Sequence, residues 1–336
     1  MNYMAPTVSI IVCSYTEQRW AQLQNCIESA RNQTLPAHEI ILVIDHNDAL
    51  LARARAAFTD VLVIPNLNQQ SLSGARNIGI ANATGEIIAF VDDDGVITPD
   101  WLERLCECLD DPAVLGAGGT IAPMWEGKQP RWFPPEFYWV FGCTYEGQPK
   151  KRQAVRNLWG SMSVRRAVFE AVGDFHISLG RIGTKPLGDE ETELCIRASM
   201  HWPESRWVFE PSAVMRHSVP ASRARWKYFC SRCYYEGISK SAISRLVGRN
   251  RGLAAERGYV LRVLPRAVAG GLFATLRGDL SGLQRAVAVV TGLFLTTLGY
   301  VVGALTVGKH SGNWLSDNQG AVAALSEQPT QSDVVN

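Results

Sequence analysis

The stretch EIIAFVDDDGVITPDWL, residues 86–102, runs a short apolar segment directly into three consecutive aspartates. Glu86–Val91 is too short for a helix and reads as a buried strand, while Pro99 and Asp100 open a helix that extends to Leu109. Three adjacent like charges repel one another, so solvent, a cation or hydrogen-bond donors must offset them. Upstream the same alternation repeats. Strand-like Val8–Cys13, Glu39–Asp45 and Val61–Pro65 are separated by helical Glu17–Gln33 and Ala49–Phe58, and helical Leu72–Ala83 leads back to the aspartate strand. Strand followed by helix, repeated, predicts an α/β fold with an open, mostly parallel sheet flanked by helices, in which ligands sit at the carboxyl ends of the strands. Ser14 to Glu17, Asp45 and Asp92–Asp94 all fall at such ends, so three polar clusters are expected to converge on one crevice.

Beyond about Gly118 the alternation stops. Met124–Gly142 is rich in aromatics and prolines without helical or strand period, which predicts a lid or wall over the crevice. A strand-like VRNLWGSMSV, a helix from about Arg165 and a helix carrying GDEETELCIRASM follow. Residues 1–245 are read as the catalytic domain, 246–285 as a basic, amphipathic interfacial region and 286–307 as a transmembrane helix, with 308–336 as a flexible tail. Within the candidate span 22 residues carry no charge, and arginines crowd the side before it, which places the catalytic domain on the cytoplasmic side of a cell membrane.

Composition removes other classes. With 33 basic against 32 acidic residues, no global field exists to hold a polyanion, so nucleic acid is excluded as a partner. The eight cysteines are scattered through apolar segments and read as reduced thiols; Cys230 and Cys233 form a CxxC with no second pair to complete a zinc site. No secretory leader is expected, because Val8–Cys13 is short and lacks a basic leader.

Asp92 and Asp94, two apart, can point to one side of an extended segment while Asp93 points away. Hard oxygen ligands at a strand end suit Mn²⁺ or Mg²⁺ shared with a diphosphate. An EF-hand reading fails at Val96, where an oxygen ligand is needed, and at Ile97, where glycine is needed. Gly74, Arg76, Asn77 and Gly79 open a helix where amides and a guanidinium can meet phosphates, although neither GxGxxG nor a Walker lysine is present. Asp189, Glu190, Glu191 and Glu193 crowd one helical first turn, more acid than capping requires, and one of them can accept a proton from a hydroxyl. His217, ending a strand-like segment, is read either as a metal or phosphate ligand or as a structural histidine.

Taken in order, SIIVCSYTEQR, VIDHND, SGARNIGIANATGEIIAFVDDDGVITPDWL, GSMSVRR, GDEETELCIR and the His217 segment resemble the family 2 glycosyltransferases, over about Val8 to Lys240. PEFYWVFGCTYEG, VRNLWGSMSVRR and SRCYYEGISK look closer to a subgroup that adds glucuronic acid to glucose on dolichyl phosphate. The resemblance implies a GT-A fold, Rossmann-like, with a C-terminal membrane-associated helical segment. It implies a nucleotide-diphosphate sugar donor, UDP-linked in that subgroup's manner, a lipid-phosphate-linked sugar acceptor and a divalent cation, Mn²⁺ or Mg²⁺. Carried onto this chain, it gives Tyr15 and Asp45 to the nucleoside base, with Ser14 and Glu17 beside them. Arg76, Asp92 and Asp93 fall near the nucleotide, and Asp94, Asp92 and His217 near the metal. Glu191, or Glu190, becomes the base for an inverting displacement, and Trp159, Gly160 and Ser161 fall on the acceptor side.

Two departures stand out. Glu190-Glu191 replaces the usual Glu-Asp, and Asp45-His46-Asn47-Asp48 replaces Asp-Gly-Ser. The QxxRW signature of processive synthases is absent, and a single expected span argues against a secretion pore. Three rivals remain: a non-catalytic nucleotide-sugar-binding membrane protein, a transferase acting on a non-lipid acceptor, and a nucleotidyltransferase. The last wants a basic glycine-rich loop where SYTEQRW offers only Arg19.

Overall fold

The structure is a computed structural model and describes residues 6–177, 179–180, 188–248 and 253–306. Strands β1 (Val8–Ser14), β2 (Glu39–Asp45), β3 (Leu62–Asn66) and β4 (Ile87–Asp92) lie parallel in the order β3-β2-β1-β4. Helices α1 (Trp20–Arg31), α2 (Asp48–Ala57) and α3 (Leu72–Asn82) connect them. The central strands are apolar almost throughout because both faces of the sheet are covered. The Asn47 side chain accepts a hydrogen bond from the Leu50 amide at 2.9 Å, and the Ser71 hydroxyl accepts one from Gly74 at 3.0 Å. Both caps start a helix immediately beyond a strand end, so the connecting loops stay short and polar groups collect at one edge.

After β4 the sheet is mixed rather than mostly parallel. The chain continues through β5 (Gly95–Ile97), α4 (Trp101–Cys108), β6 (Val114–Trp125), β7 (Gln153–Val155), β8 (Met162–Arg165), α5 (Arg166–Val172), α6 (Glu190–His201) and β9 (Arg206–Val219). The full order is β3-β2-β1-β4-β8-β6-β9-β5, with β7 on β9. β8 is antiparallel to β4 and β6, and β5 is antiparallel to β9. The β5–β9 register sets Gly95 opposite His217. A side chain at Gly95 would meet the Met215 sulfur at 2.5 Å, so glycine lets this hairpin-like pair close just past the aspartates.

Of the lid or wall expected over Met124–Gly142, the structure forms a wall. Met124 and Trp125 finish β6, and Pro135–Phe141 forms a 3₁₀ turn. Phe133 and Phe137 pack on Phe229, with ring centroids 5.3 and 5.4 Å apart.

Phe229 belongs to α7 (Trp226–Leu246), which is followed by α8 (Ala254–Gly258), a π turn (Tyr259–Val263), α9 (Leu264–Leu276) and α10 (Ser281–Thr306). The boundary expected at residue 245 is therefore not a break, because α7 packs along α10. Two helical stretches, Glu256–Leu276 and Ser281–Thr306, are long and apolar enough to cross a membrane, where the sequence suggested one. The second starts at Ser281, five residues before the expected limit, because Asp279 accepts a hydrogen bond from the Ser281 amide and starts the helix. The tail, 308–336, lies outside the described residues.

Candidate active site

A cavity of about 1650 Å³ opens along the carboxyl edge of β1, β2 and β4 and continues to the C-terminal helices. Its strand end holds Asp92, Asp94 and His217, whose ligand atoms all lie within 4.8 Å of one another. His217 Nε2 is 3.0 Å from Asp94 Oδ1. Two carboxylates and an imidazole form a mixed hard and borderline donor set, which fits a divalent cation such as Mn²⁺.

Arg19 Nη1 reaches Asp93 at 2.7 Å and Asp94 at 2.8 Å, and the Ser14 hydroxyl donates to Asp93 at 2.5 Å. Asp93 thus points toward the β1 loop, away from the triad, as the two-residue alternation predicts. Burial pushes the Asp93 carboxyl up to about 7; Arg19 opposes the rise and neighbouring Asp94 adds to it. Burial also opposes ionisation of Asp94, but the adjacent His217 outweighs it, with help from Arg19 and Arg223, and holds that carboxyl well below the usual range. Asp94 in turn raises His217 well above the ordinary imidazole value despite its burial. The repulsion anticipated from the sequence is therefore balanced by cations from two distant segments, Arg19 and the stretch carrying His217 and Arg223.

Arg76 supplies the second junction. Its side chain is only 3% exposed, yet its guanidinium meets Glu191 at 2.9 Å, Glu190 at 3.1 Å and Asp92 at 3.7 Å. Arg76, expected near the nucleotide, lines the cavity and bridges Asp92 to the acidic helix. One guanidinium cannot balance three carboxylates in a low-dielectric site. Burial, reinforced by Glu191 and opposed by Arg76, pushes Glu190 up to about 8, so this residue carries a proton at neutral pH. Glu191 faces the cavity and accepts the Gly160 amide at 3.2 Å. Gly160 has φ +57°, in the left-handed region, and this conformation turns its N–H toward Glu191.

The Glu190 proton has a measurable consequence. A carboxyl whose folded pKa lies above its unfolded value contributes stability that is full below about 4.5 and lost as pH rises through about 8. Between pH 5 and 8 the melting temperature of the wild type is expected to fall relative to that of Glu190→Gln. Parallel curves for the two proteins would show that Glu190 is ionised throughout.

The other expected residues divide. Asp45 is buried and accepts from Asn66 Nδ2 at 2.6 Å, with His46 Nδ1 at 2.9 Å. His46 stands at φ 54°, a conformation natural to the glycine it replaces. Tyr15 is half exposed at the cavity edge, with Arg19 stacked 4.8 Å from its ring centre. Glu17 lies exposed in the short 3₁₀ turn Glu17–Arg19 and does not line the cavity. Trp159 lines the cavity and stacks on Phe209 at 5.5 Å, whereas Ser161 is buried beneath the lining.

Sequence reasoning gave no role to Arg19, Arg223 or Lys240. Arg19 carried a signal, a cation in the first strand-end loop; the other two depend on how α7 and its approach fold back. Arg223 lines the cavity close enough to lower Asp94. Lys240 Nζ lies 2.7 Å from Asp189 and 2.9 Å from Glu256, so it ties the residue before the acidic helix to the C-terminal hairpin. Asp189 has φ 78°, a strained conformation for a non-glycine residue, and this contact helps to hold it.

Comparison with known proteins agrees with this geometry. The chain is 30% identical over 306 residues to a glucosyl-dolichyl phosphate glucuronosyltransferase of Haloferax volcanii, covering 89% of this chain and 96% of the relative. It is 25% identical to the succinoglycan biosynthesis protein ExoM of Rhizobium meliloti, over 68% of this chain and 72% of that one. The crystal structure of GalNAc-T7 with UDP, GalNAc and Mn²⁺ superposes with a TM-score of 0.50 at 15% identity, covering 74% of this chain and 54% of the other, and shows the GT-A-like fold. Residues 9–173 match the family described as Glycosyl transferase family 2, and with the relation to the Haloferax protein the chain belongs to that family and is a glycosyltransferase.

Proposed function

We propose that this glycosyltransferase moves glucuronic acid from a UDP-linked donor to glucose carried on a polyprenyl or dolichyl phosphate, at the cytoplasmic face of a membrane. The observation that carries this reading is the continuity of one cavity. Its lining joins Asp92, Asp94 and His217, then Glu191 and Trp159, with the apolar Tyr259, Val260, Leu264 and Leu293 of the C-terminal helical segments. A polar donor and a lipid-linked acceptor can meet there. The name of the Haloferax relative supports the sugar and the lipid.

The chemistry follows from the placement. Tyr15 and Asp45 line the end that receives the nucleoside, while Arg19, Arg223 and Asp92 surround the diphosphate position. Asp92, Asp94 and His217 would hold a divalent cation, Mn²⁺ in preference to Mg²⁺ because one donor is imidazole, and such an ion would supply positive charge beside a departing diphosphate. Glu191 takes the proton from the acceptor hydroxyl as its oxygen bonds to the anomeric carbon and the bond to the diphosphate breaks. Arg76 meets Glu191 through Nη1 and Asp92 through Nη2, so the base sits beside the metal-side carboxylate, and the displacement proceeds with inversion. Arg76 holds Glu191 and Asp92 at a fixed separation, and the Gly160 amide orients the carboxylate.

Three arginines could pair with a uronate carboxylate on sequence grounds. Arg165 donates to the carbonyl of Val114 at 2.8 Å and to those of Leu109 and Asp111, a structural role. Arg181 lies outside the described residues, and Arg156 lines the cavity. Among the described residues, Arg156 is the favoured uronate partner because it lines the cavity.

The test is a panel of labelled UDP-sugars offered to the purified protein with Mn²⁺ and a short-chain glucosyl phosphoprenol. UDP-glucuronate is expected to give a lipid-extractable product at least tenfold faster than UDP-glucose or UDP-N-acetylglucosamine. Faster use of another sugar would overturn the donor assignment, and donor binding without turnover would favour the non-catalytic alternative.

A further inference from the structure

We propose that the C-terminal helical hairpin lies in one face of an anionic bilayer and does not cross it, its large apolar side chains facing lipid and its small ones facing the catalytic domain. This placement rests on the proposed function only in taking a membrane as the partner.

α10 has two unlike sides. Leu283, Val287, Val290, Phe294, Leu298 and Leu305 recur at spacings of three and four, or their multiples, and are exposed, Phe294 to 63% and Leu305 to 72%. The opposite side carries Gly292, Gly299 and Gly303, and it sits directly on α7. A side chain at Gly299 would come within 2.0 Å of the Tyr234 carbonyl, one at Gly303 within 2.3 Å of the Ser241 hydroxyl, and one at Gly292 within 2.4 Å of Phe137. Arg245 adds a hydrogen bond to the Gly303 carbonyl at 3.1 Å.

Length decides between spanning and lying. At about 1.5 Å per residue, the part of α10 before Gly292 measures roughly 16 Å, half of a hydrocarbon core of about 30 Å. Crossing would therefore draw the Gly292–Gly303 segment into hydrocarbon together with α7. The far side of α7 carries Arg232, Glu236 and Lys240, which line the polar cavity. Charged groups and a nucleotide-sugar site cannot be placed at that depth without a large desolvation cost. The other arm is no better suited. Its uncharged stretch between Arg266 and Arg277 is only about 15 Å long, and its start is anchored to the catalytic domain by the Tyr259 hydroxyl, which donates to the Glu136 carbonyl at 2.7 Å.

Charge selects the surface. Residues 257–306 contain five arginines and a single acid, Asp279, which is paired with Arg285 at 2.8 Å. Arg262 and Arg266 are exposed one turn apart, and Arg277 lies over Phe273, itself exposed. Basic groups flanking an apolar stripe match a leaflet whose headgroups are anionic. Such a hairpin also holds the cavity at headgroup level, where the phosphate of a lipid-linked acceptor resides.

Depth measurement tests this without reference to sugar transfer. Spin labels are introduced one at a time at Leu283, Phe294 and Leu305 in a Cys13→Ser, Cys230→Ser background of the full chain, bound to phosphatidylcholine vesicles containing phosphatidylglycerol. A flat hairpin gives the three labels the same depth within about 5 Å, below the headgroups. A spanning helix puts Phe294 about 15 Å deeper than the other two and overturns the proposal. So does exposure of all three labels to water. In a second arm Arg262→Gln/Arg266→Gln, checked for an unchanged melting curve, is expected to bind these vesicles about 25-fold more weakly, at roughly fivefold per arginine. Equal binding to vesicles of phosphatidylcholine alone would remove the anionic surface from the proposal.

Discussion

Glu191→Gln is expected to lower kcat about 10³-fold while leaving the donor KM within a few-fold of wild type. The amide keeps the volume of the carboxylate, and its oxygen can still accept from Arg76 and from the Gly160 amide, now 2.9 and 3.2 Å from Glu191 Oε1. It cannot take a proton from the acceptor hydroxyl. Glu190→Gln serves as the internal control, because Glu190 already holds a proton at neutral pH and its exchange for an amide alters little charge. A wild-type rate in Glu191→Gln, with loss of rate in Glu190→Gln, would move the base one position. That is the possibility raised by two adjacent glutamates at these positions. Steady-state rates at saturating donor, with circular dichroism to establish folding, separate the two.

Asp94→Asn is expected to reduce kcat/KM by about 10³-fold, because the charge stabilisation a cation supplies to a leaving diphosphate amounts to several kcal/mol. The loss should be selective. Asp94 is one of three donors within 4.8 Å, and removing its charge also leaves Arg19 and His217 with less to balance them. Titration of Mn²⁺, followed by its paramagnetic effect on water relaxation, should show binding by the wild type and at least tenfold weaker binding by the variant. Unchanged activity in a folded Asp94→Asn protein would remove this aspartate from the site.

Much of this site is legible along the chain wherever a residue's position follows from local periodicity. Asp45 and Asp92–Asp94 end apolar strand-length runs, and the rule that ligands gather at strand ends locates them with no knowledge of contacts. The acidic first turn at Glu190–Glu193 is likewise visible, since carboxylates there exceed what a helix start uses. Pairings across long separations are not visible. His217 reaches Asp94 only because β9 pairs with β5 antiparallel in a register that sets it opposite Gly95. Arg76 reads as an exposed cation for phosphate, and burial between Glu190, Glu191 and Asp92 turned it into the brace between the two halves of the site.

The C-terminal region shows the same division. An uncharged run of 22 residues satisfies the length criterion for a membrane span, and composition carries no further information. In the fold Gly292, Gly299 and Gly303 are the points where α10 meets the catalytic domain. The sequence by itself determined the α/β alternation, the strand-end acids and the family, because each is written in local periodicity or in motif order. The tertiary structure alone decided which charges neutralise one another and which face of the last helix is left exposed. Both depend on burial and on contacts between segments up to about 120 residues apart, and local pattern does not encode them.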